Sequence, residues 1–245
     1  MTHIQASKMS IRGVSLLDIL NMNSAHACCL ATAFPIIIKT GRSMKSLQKQ
    51  LFVAASRNDT TAILTALEKG VDIETRDAAG CSALLKATHH NAIEGARILI
   101  DAGANVNAMD NIGDSPYLYA GAEGRVEILR MTLEHDADLT SVNRYGGTAL
   151  IPAAHHGHVE TVRELLKTKT DIDRVNYPGW TALLEAIILG DGGLTYIEIV
   201  QLLVDADADV NIADGDGVLP LDHSLERGYL EITEILRNAG AKANY

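Results

Sequence analysis

A chain of 245 residues is long enough for one large domain or for an array of repeats. Its hydrophobic fraction of 47% argues against overall disorder, and its aromatic fraction of 4% favours a helical core of aliphatic residues and alanine over a β-sandwich. The formal net charge of −10 repels phosphate groups, which argues against binding to nucleic acid or to an anionic membrane surface.

The cysteines and the apolar runs indicate the compartment. Three cysteines, Cys28, Cys29 and Cys81, do not form the pattern of a disulfide framework, which favours a reducing compartment. No uninterrupted apolar run reaches about eighteen residues, so the sequence predicts no transmembrane helix. We therefore expect a cytoplasmic protein.

Residues 1–43 stand outside the repeated part of the chain, and three interpretations remain open. A secretory signal would make the protein periplasmic, but the apolar stretch comes late and is followed by KTGRS instead of a small-residue cleavage site. A folded extra helix pair that packs on the first repeat is the second interpretation. The third is a poorly ordered leader or an over-extended start, because Met44 stands directly before the first repeat.

A repeat dominates the rest of the chain. An Asp or Asn recurs with a glycine three residues after it, first at steps of 33 residues and finally at a step of 38, so the fifth unit carries five extra residues. The recurring residues are Asp77, Asp110, Asn143, Asn176 and Asp214.

Each unit reads as a turn followed by two helices. The Asp/Asn and Gly pair predicts a tight turn, and a Ser or Thr then caps a short first helix. Pro116 and Pro220 stand at the first helical position, where proline's missing N–H has no intrahelical partner to lose. An apolar stripe, as in VETVRELL, predicts a second helix. The predicted caps are Ser82, Ser115, Thr148 and Thr181.

These residues resemble the ankyrin repeat over about residues 46–245, more than four-fifths of the chain. Copies such as NRYGGTALIPAAHHGHVETVRELLKTKTDIDRV carry most of the family pattern. The fifth copy, with its Gly-Asp-Gly-Gly insertion, resembles small stand-alone bacterial ankyrin proteins. The insertion, Asp191 to Thr195, is predicted to lengthen a loop between two helices, and a second contact site is the alternative.

The resemblance implies an all-α ankyrin-repeat solenoid, with about six helix–turn–helix repeats and short β-turn fingers. It divides the chain into a leader (1–43) and a repeat domain (44–245). The expected repeats are 44–76, 77–109, 110–142, 143–175, 176–213 and 214–245.

Three departures from the family pattern predict local differences. The family's T-P-L-H histidine is absent from every copy, so its hydrogen-bond network should be missing. Pro152 lies inside the first helix of the fourth repeat, which predicts a late start or a kink. Asp136, Lys169 and Asp207 replace the glycine that ends the second helix, and a non-glycine residue in the left-handed conformation costs free energy. We expect the middle repeats to be the least stable.

Two sets of residues are candidates for a partner-binding site. The variable positions at the end of the first helices face the concave groove, and the turn tips carry apolar and aromatic residues that are typical binding anchors. An alternative is that the histidines are merely solvated and that the aromatic residues cover their own turns. The groove candidates are Arg57, His89, His90, Glu123, His155, His156, Ile188 and Leu189, and the tip candidates are Ile112, Tyr145, Tyr177 and Trp180.

The histidine-rich stretch PAAHHGHVE also raises a metal-dependent hydrolase that uses His155 and His156. Neighbouring residues on a helix face apart and make a poor chelate, and no nucleophile-elbow, P-loop or H-E-x-x-H motif is present. We therefore assign no catalytic, metal-binding or cofactor-binding residue, and predict that the protein is not an enzyme.

The sequence predicts a monomeric, non-catalytic protein-interaction module that needs no cofactor. Its unidentified protein partner is expected to carry basic groups around an apolar patch, because Asp114 and Glu123 lie near the tips. Trp180, Tyr145 and Tyr177 are expected to carry most of the affinity. An exported ankyrin protein that supports a stress-response enzyme in the periplasm is the alternative if the leader is a signal.

Overall fold

A computed structural model describes residues 41–244, and the chain from Ser43 onwards forms one compact unit. The three interpretations of the leader therefore lie outside the described residues. Within the described range the secondary structure is helical without strands. The helices are α1 (Gly41–Ser56), α2 (Thr60–Glu68), α3 (Ala83–His89), α4 (Ile93–Asp101), α5 (Pro116–Ala122), α6 (Val126–Glu134), α7 (Leu150–His155), α8 (Val159–Leu166), α9 (Ala182–Ile188), α10 (Leu194–Asp205), α11 (Pro220–Glu226) and α12 (Leu230–Asn238).

The helices stack as two layers. From α3 onwards each odd-numbered helix packs against the even-numbered helix that follows it and against the next odd-numbered helix. The even-numbered helices α2 to α12 form the second layer in the same way. These contacts between neighbouring pairs define a solenoid of about six helix–turn–helix repeats, as the sequence predicted.

A small-residue and leucine core fills the space between the layers. Leu84, Leu150 and Leu183 occupy equivalent places in the first helices and are almost completely buried. Tyr117 fills the same place in the third repeat and is also fully buried. The position of the family's histidine is the next residue along each first helix. In four repeats it holds a buried apolar residue, so packing stabilises the interior there: Leu85, Leu118, Ile151 and Leu184. In the last repeat, Asp222 instead accepts a hydrogen bond from the backbone N–H of Asn244.

Each finger is a hydrogen-bonded turn built on the recurring Asp or Asn. In the fourth repeat the Asn143 side-chain oxygen accepts the N–H groups of Tyr145 at 2.9 Å and Gly147 at 3.1 Å. The Gly146 N–H closes the turn on the Asn143 carbonyl at 2.9 Å. Gly146 has φ 77°, a conformation that glycine adopts without steric cost. Equivalent bonds close the turns headed by Asp77, Asp110, Asn176 and Asp214.

The first helices begin as predicted in three repeats and differently in the fourth. Ser82, Ser115 and Thr181 cap their helices through the backbone N–H three residues on. Thr148 makes no such bond, and α7 begins one residue late, at Leu150. In the second repeat the Lys86 N–H donates to the Ser82 carbonyl at 3.1 Å. Pro152 holds the equivalent place in α7 and has no N–H, so this first bond is lost.

Two of the three residues that replace the helix-ending glycine adopt its left-handed conformation, and the expectation for the third is wrong. Asp136 and Asp207 adopt the left-handed conformation, with φ 57° and 64°. Lys169 does not adopt the left-handed conformation, because α8 already ends at Leu166, three residues before it. The Thr168 hydroxyl donates to the Leu165 carbonyl and accepts the Thr170 N–H, which satisfies polar groups at this end.

Ion pairs cross between repeats on the second layer. Arg130 on α6 contacts Glu164 at 2.7 Å and Glu160 at 3.1 Å, both on α8. Arg163 on α8 contacts Glu198 on α10 at 2.6 Å. These side chains are partly exposed, so each pair contributes modestly to stability.

We predict that Asp136→Gly and Asp207→Gly each raise the free energy of unfolding by about 0.5–1 kcal/mol, because glycine adopts the left-handed conformation without strain. Urea denaturation of the purified chain measures the effect. Lys169→Gly is the matched control and should give no gain, since Lys169 is not left-handed. A gain at Lys169 equal to that at the two aspartates would contradict this explanation.

Candidate partner-binding site

A cleft of about 450 Å³ opens between the fingers and the first helices in the centre of the array. Its walls come from α5, α7 and α9 and from the turns before α7 and α9. Five of the predicted residues line it: Glu123, Tyr145, His155, His156 and Leu189. The cleft therefore gathers candidates from three consecutive repeats, and we name it the central cleft.

The fingertips beside the central cleft are aromatic and exposed. Tyr145 is 55% exposed and Tyr177 is 76% exposed. The Tyr177 N–H donates to the Tyr145 carbonyl at 2.8 Å, which fixes the two fingers relative to each other. The Tyr177 ring lies over Gly146, where an added Cβ would approach the ring to 2.7 Å. Tyr177 thus packs on the neighbouring finger and still presents its outer face to solvent.

Arg144 shapes the adjacent wall of the central cleft. Its guanidinium lies 4.9 Å from the centroid of the Tyr145 ring and 3.6 Å from Asp114. Burial raises the pKa of Asp114, while the Arg144 charge acts in the opposite direction. The tyrosine and the aspartate on this wall are therefore already arranged around one guanidinium.

Three other predicted apolar residues lie around the central cleft but do not line it. Trp180 is half-buried, and its backbone N–H donates to the Asn176 side chain at 2.8 Å. Ile188 is also half-buried, and its carbonyl accepts a hydrogen bond from Arg227. Ile112 is 56% exposed on the finger of the third repeat. Trp180 is consequently less accessible than either tip tyrosine.

The histidines of the fourth repeat lie closer together than expected. The rings of His155 and His156 are 4.6 Å apart, so the expectation that these neighbours face apart is wrong. The reason is that α7 ends at His155, and His156 already belongs to its cap. His156 Nδ1 donates to the Ala122 carbonyl at 2.7 Å, which ties it to the third repeat. In the described part of the chain, no group of three His, Cys, Asp or Glu side chains is placed to hold a metal ion.

The remaining candidates lie outside the central cleft. His89 stacks on Tyr119 with ring centroids 4.3 Å apart, and burial lowers its pKa. His90 is exposed and its Nδ1 donates to the Lys86 carbonyl at 3.0 Å. Arg57 follows α1 and lines a separate groove between α1 and α2. The structure thus divides the predicted set into a central group and a peripheral group.

Glu185 forms the floor of the central cleft and was not among the sequence candidates. It is only 7% exposed, and Asn176 Nδ2 donates to its Oε1 at 2.7 Å. Its Oε2 lies 3.6 Å from His155 Nδ1, too far for a good hydrogen bond. Burial raises the pKa of Glu185 to about 7, although the Asn176 hydrogen bond and the charge of His156 act in the opposite direction. The signal in the sequence was one acidic residue within the apolar helix ALLEAII.

The residue at the ninth position after the recurring Asp or Asn differs between repeats. In the second repeat, Lys86 contacts Asp77 at 2.8 Å, and in the last repeat His223 contacts Asp214 at 2.8 Å. The fourth repeat has Pro152 there, which has no polar group to reach its turn. Pro152 lines the central cleft, together with Glu185, which holds the ninth position of the fifth repeat.

The insertion in the fifth repeat is only partly a loop, because its residues Leu194 and Thr195 already form the start of α10. Asp191 accepts the Gly193 N–H at 2.8 Å, which closes a tight turn. The Tyr229 hydroxyl donates to the Gly190 carbonyl at 2.9 Å, and the Tyr196 hydroxyl donates to the His155 carbonyl at 2.8 Å. These bonds tie the turn to the last repeat and α10 to the fourth repeat.

The geometry defines a helical solenoid with β-turn fingers and a cleft between fingers and first helices. The profile of the ankyrin repeat family, described as ankyrin repeats in three copies, matches residues 51–143 and 133–214. The chain belongs to the ankyrin repeat family. Proteins of this family generally mediate protein–protein interactions and are typically non-catalytic.

Solved structures of bacterial and other ankyrin proteins are similar to this chain. An ankyrin repeat domain from Acinetobacter baumannii AYE is 57% identical, with a TM-score of 0.77, over 78% of this chain and 98% of that chain. The ankyrin repeat protein EF0377 is 44% identical, with a TM-score of 0.75, over 78% and 97%. The ankyrin repeat domain of Bcl-3, a member of the IkappaB protein family, is 27% identical, with a TM-score of 0.70, over 79% and 86%.

The curated ankyrin repeat protein YahD of Escherichia coli (strain K12) is 46% identical over 57 residues. This match spans 23% of the present chain and only 28% of YahD. Separately, no helix in the described range is long and apolar enough to cross a membrane.

We predict that Glu185→Gln stabilises the protein at pH 8 and has little effect near pH 4. The folded-state pKa of about 7 lies above the ordinary glutamate value of 4.5, so the carboxyl favours folding when protonated and opposes it once ionised. The gain at pH 8 should be about 2–3 kcal/mol, measured by urea denaturation across pH.

Glu164→Gln is the control for this pH series, because hydrogen bonds from Arg130 and Lys167 lower the pKa of Glu164. Its substitution should destabilise the protein at neutral pH, with the loss fading in acid. A pH-independent effect of Glu185→Gln would show that its carboxyl does not oppose folding.

Proposed function

We propose that this chain is a non-catalytic protein-interaction module whose partner binds across the fingertips and the central cleft. The observation that carries the proposal is the pair of exposed tyrosines, Tyr145 and Tyr177, fixed beside a cleft whose floor is a buried carboxyl. We also propose that the chain acts as a cytoplasmic monomer without a cofactor.

The chemistry of the tips supports a protein partner. Tyrosine offers a large apolar surface and a hydroxyl on a side chain with few rotatable bonds, so little conformational entropy is lost on binding. Tyr145 and Tyr177 are held on fingers that hydrogen-bond to each other, so the surface is preorganised. Both conditions are typical of residues that carry most of the binding free energy.

The charges around the tips favour a partner with basic groups around its apolar patch. Asp114 and Glu123 line the central cleft beside Tyr145, and the whole chain carries a net charge of −10. Complementary charge accelerates association and selects among partners more than it adds affinity. An acidic rim around aromatic anchors therefore disfavours acidic partners.

The burial of Trp180 changes the expected order of importance among the aromatic residues. The two tip tyrosines are more exposed than Trp180, so we propose that they contribute the larger share of the affinity. Trp180 remains in the proposed site as a half-buried residue that supports the finger. We therefore expect a Trp180 substitution to lower the thermal stability of the chain as well as its affinity for the partner.

We predict that Tyr145→Ala and Tyr177→Ala each weaken partner binding by about 30-fold, the effect of an interface hot spot. The partner is first captured from the source cells with the wild-type chain and identified by mass spectrometry. Its affinity for each purified variant is then measured by calorimetry.

Leu230→Ala is the matched control, because Leu230 is 80% exposed at the start of α12 and does not line the central cleft. It should bind as the wild type does. Unchanged affinity in both tyrosine variants would refute the proposed site.

A further inference from the structure

The floor of the central cleft holds a carboxylate oxygen that the protein itself does not saturate. Glu185 Oε1 accepts a hydrogen bond from Asn176, whereas Oε2 lies 3.6 Å from His155 Nδ1, which is too far for a good hydrogen bond. Glu185 is only 7% exposed, and burying an ionised carboxyl is costly unless both of its oxygens are paired. Glu185 also lines the central cleft, so a group that enters the cleft can reach this carboxyl.

The basic groups near Glu185 either make other hydrogen bonds or carry a lowered pKa. Burial and the neighbouring His156 lower the pKa of His155, which favours its neutral form. On α11, His223 is bonded to Asp214, and Arg227 is directed at the Ile188 carbonyl. His156 donates its Nδ1 proton to Ala122. These described contacts leave room for an external cation at Oε2.

The walls above this floor suit a flat, cationic group on an apolar stem. Tyr145, Pro178 and Leu189 line the central cleft and provide apolar surface. The protein's own Arg144 already lies over the Tyr145 ring, at 4.9 Å from its centroid. Arg144 also contacts Asp114, so that carboxylate is paired while Glu185 is not.

We propose that the central cleft takes one arginine side chain of the protein partner, with its guanidinium on Glu185 Oε2 and its stem against Tyr145. This inference rests on the proposed function and names the chemistry that its site recognises. Arginine fits better than lysine because its planar guanidinium presents several donors to a carboxylate in fixed directions and is more weakly hydrated than an ammonium, so it is easier to bury. A lysine ammonium is a compact, strongly hydrated charge that loses more on entering a partly buried site.

The test uses a single arginine residue as the probe, N-acetyl-arginine methylamide, titrated into the full chain and followed by ¹H–¹⁵N NMR. Lysine and norleucine methylamides of the same form are the comparison probes. The arginine probe should shift the signals of residues that line the central cleft and bind more tightly than either. Because the pKa of Glu185 is about 7, its affinity should rise about tenfold between pH 6 and pH 8.

Glu185→Gln keeps the size of the side chain and can still accept the Asn176 hydrogen bond. It should weaken the arginine probe about tenfold at pH 8 and remove the rise with pH, as expected for the loss of a charged hydrogen bond. Tyr145→Ala is a second variant, at an exposed position where folding is not at stake, and should also weaken the probe. Leu230→Ala should bind the probe as the wild type does.

Three results would overturn the inference: no shifts in the central cleft with the arginine probe, equal binding of the lysine or norleucine probe, or unchanged arginine binding in Glu185→Gln. These failures differ from a failure of the proposed function. A partner that still depends on Tyr145 and Tyr177, combined with no arginine binding, leaves the interaction module standing and removes the arginine site. Arginine binding without any tyrosine-dependent partner would support the arginine site and refute the proposed interaction module.

Discussion

One side-chain oxygen at the head of each finger holds the array together. In four of the five turns the recurring Asp or Asn accepts two backbone N–H groups, and Asn176 accepts one, from Trp180, because Pro178 has none to donate. The glycine that follows allows the chain to reverse. This turn delivers the chain to the first helix at a fixed angle and brings successive fingers within hydrogen-bond distance, as between Tyr145 and Tyr177. Without it, neither the stacking of the first helices nor the row of fingertips would be defined.

The candidate site lies where the fourth repeat lacks a side-chain contact that the second and last repeats make. Asp77 and Asp214 use their second oxygen to bind the ninth residue after them, which closes the space between finger and helix. In the fourth repeat the ninth residue is Pro152, which delays α7, makes no such contact and lines the central cleft. The fifth repeat then places Glu185 at the same position, where its carboxyl is buried and its pKa is raised to about 7. Perturbed groups of this kind are typical of functional sites, since burial of an unpaired acid otherwise costs stability.

The sequence predicted the architecture well, because the turn, cap and stripe of each repeat are local signals that recur in register. It also predicted either a late start or a kink in α7, and the late start is what the structure has, since the effect of proline depends on the backbone alone. It was wrong at Lys169, where the helix ends early and a threonine hydroxyl closes it. It also missed Glu185, because the burial of one carboxyl depends on packing between repeats that lie 33 or more residues apart in the chain.

The ninth position of each repeat lies outside the turn, so it can change while the turn stays intact. Lys86 and His223 occupy it in repeats that are closed, and Pro152 occupies it in a repeat that is open. A change at this position therefore alters the space beside a finger while the hydrogen bonds of the turn remain, although a proline there also shortens the helix by one residue, as in α7. Recognition can in this way be redistributed along an ankyrin array, one repeat at a time, with the turns kept.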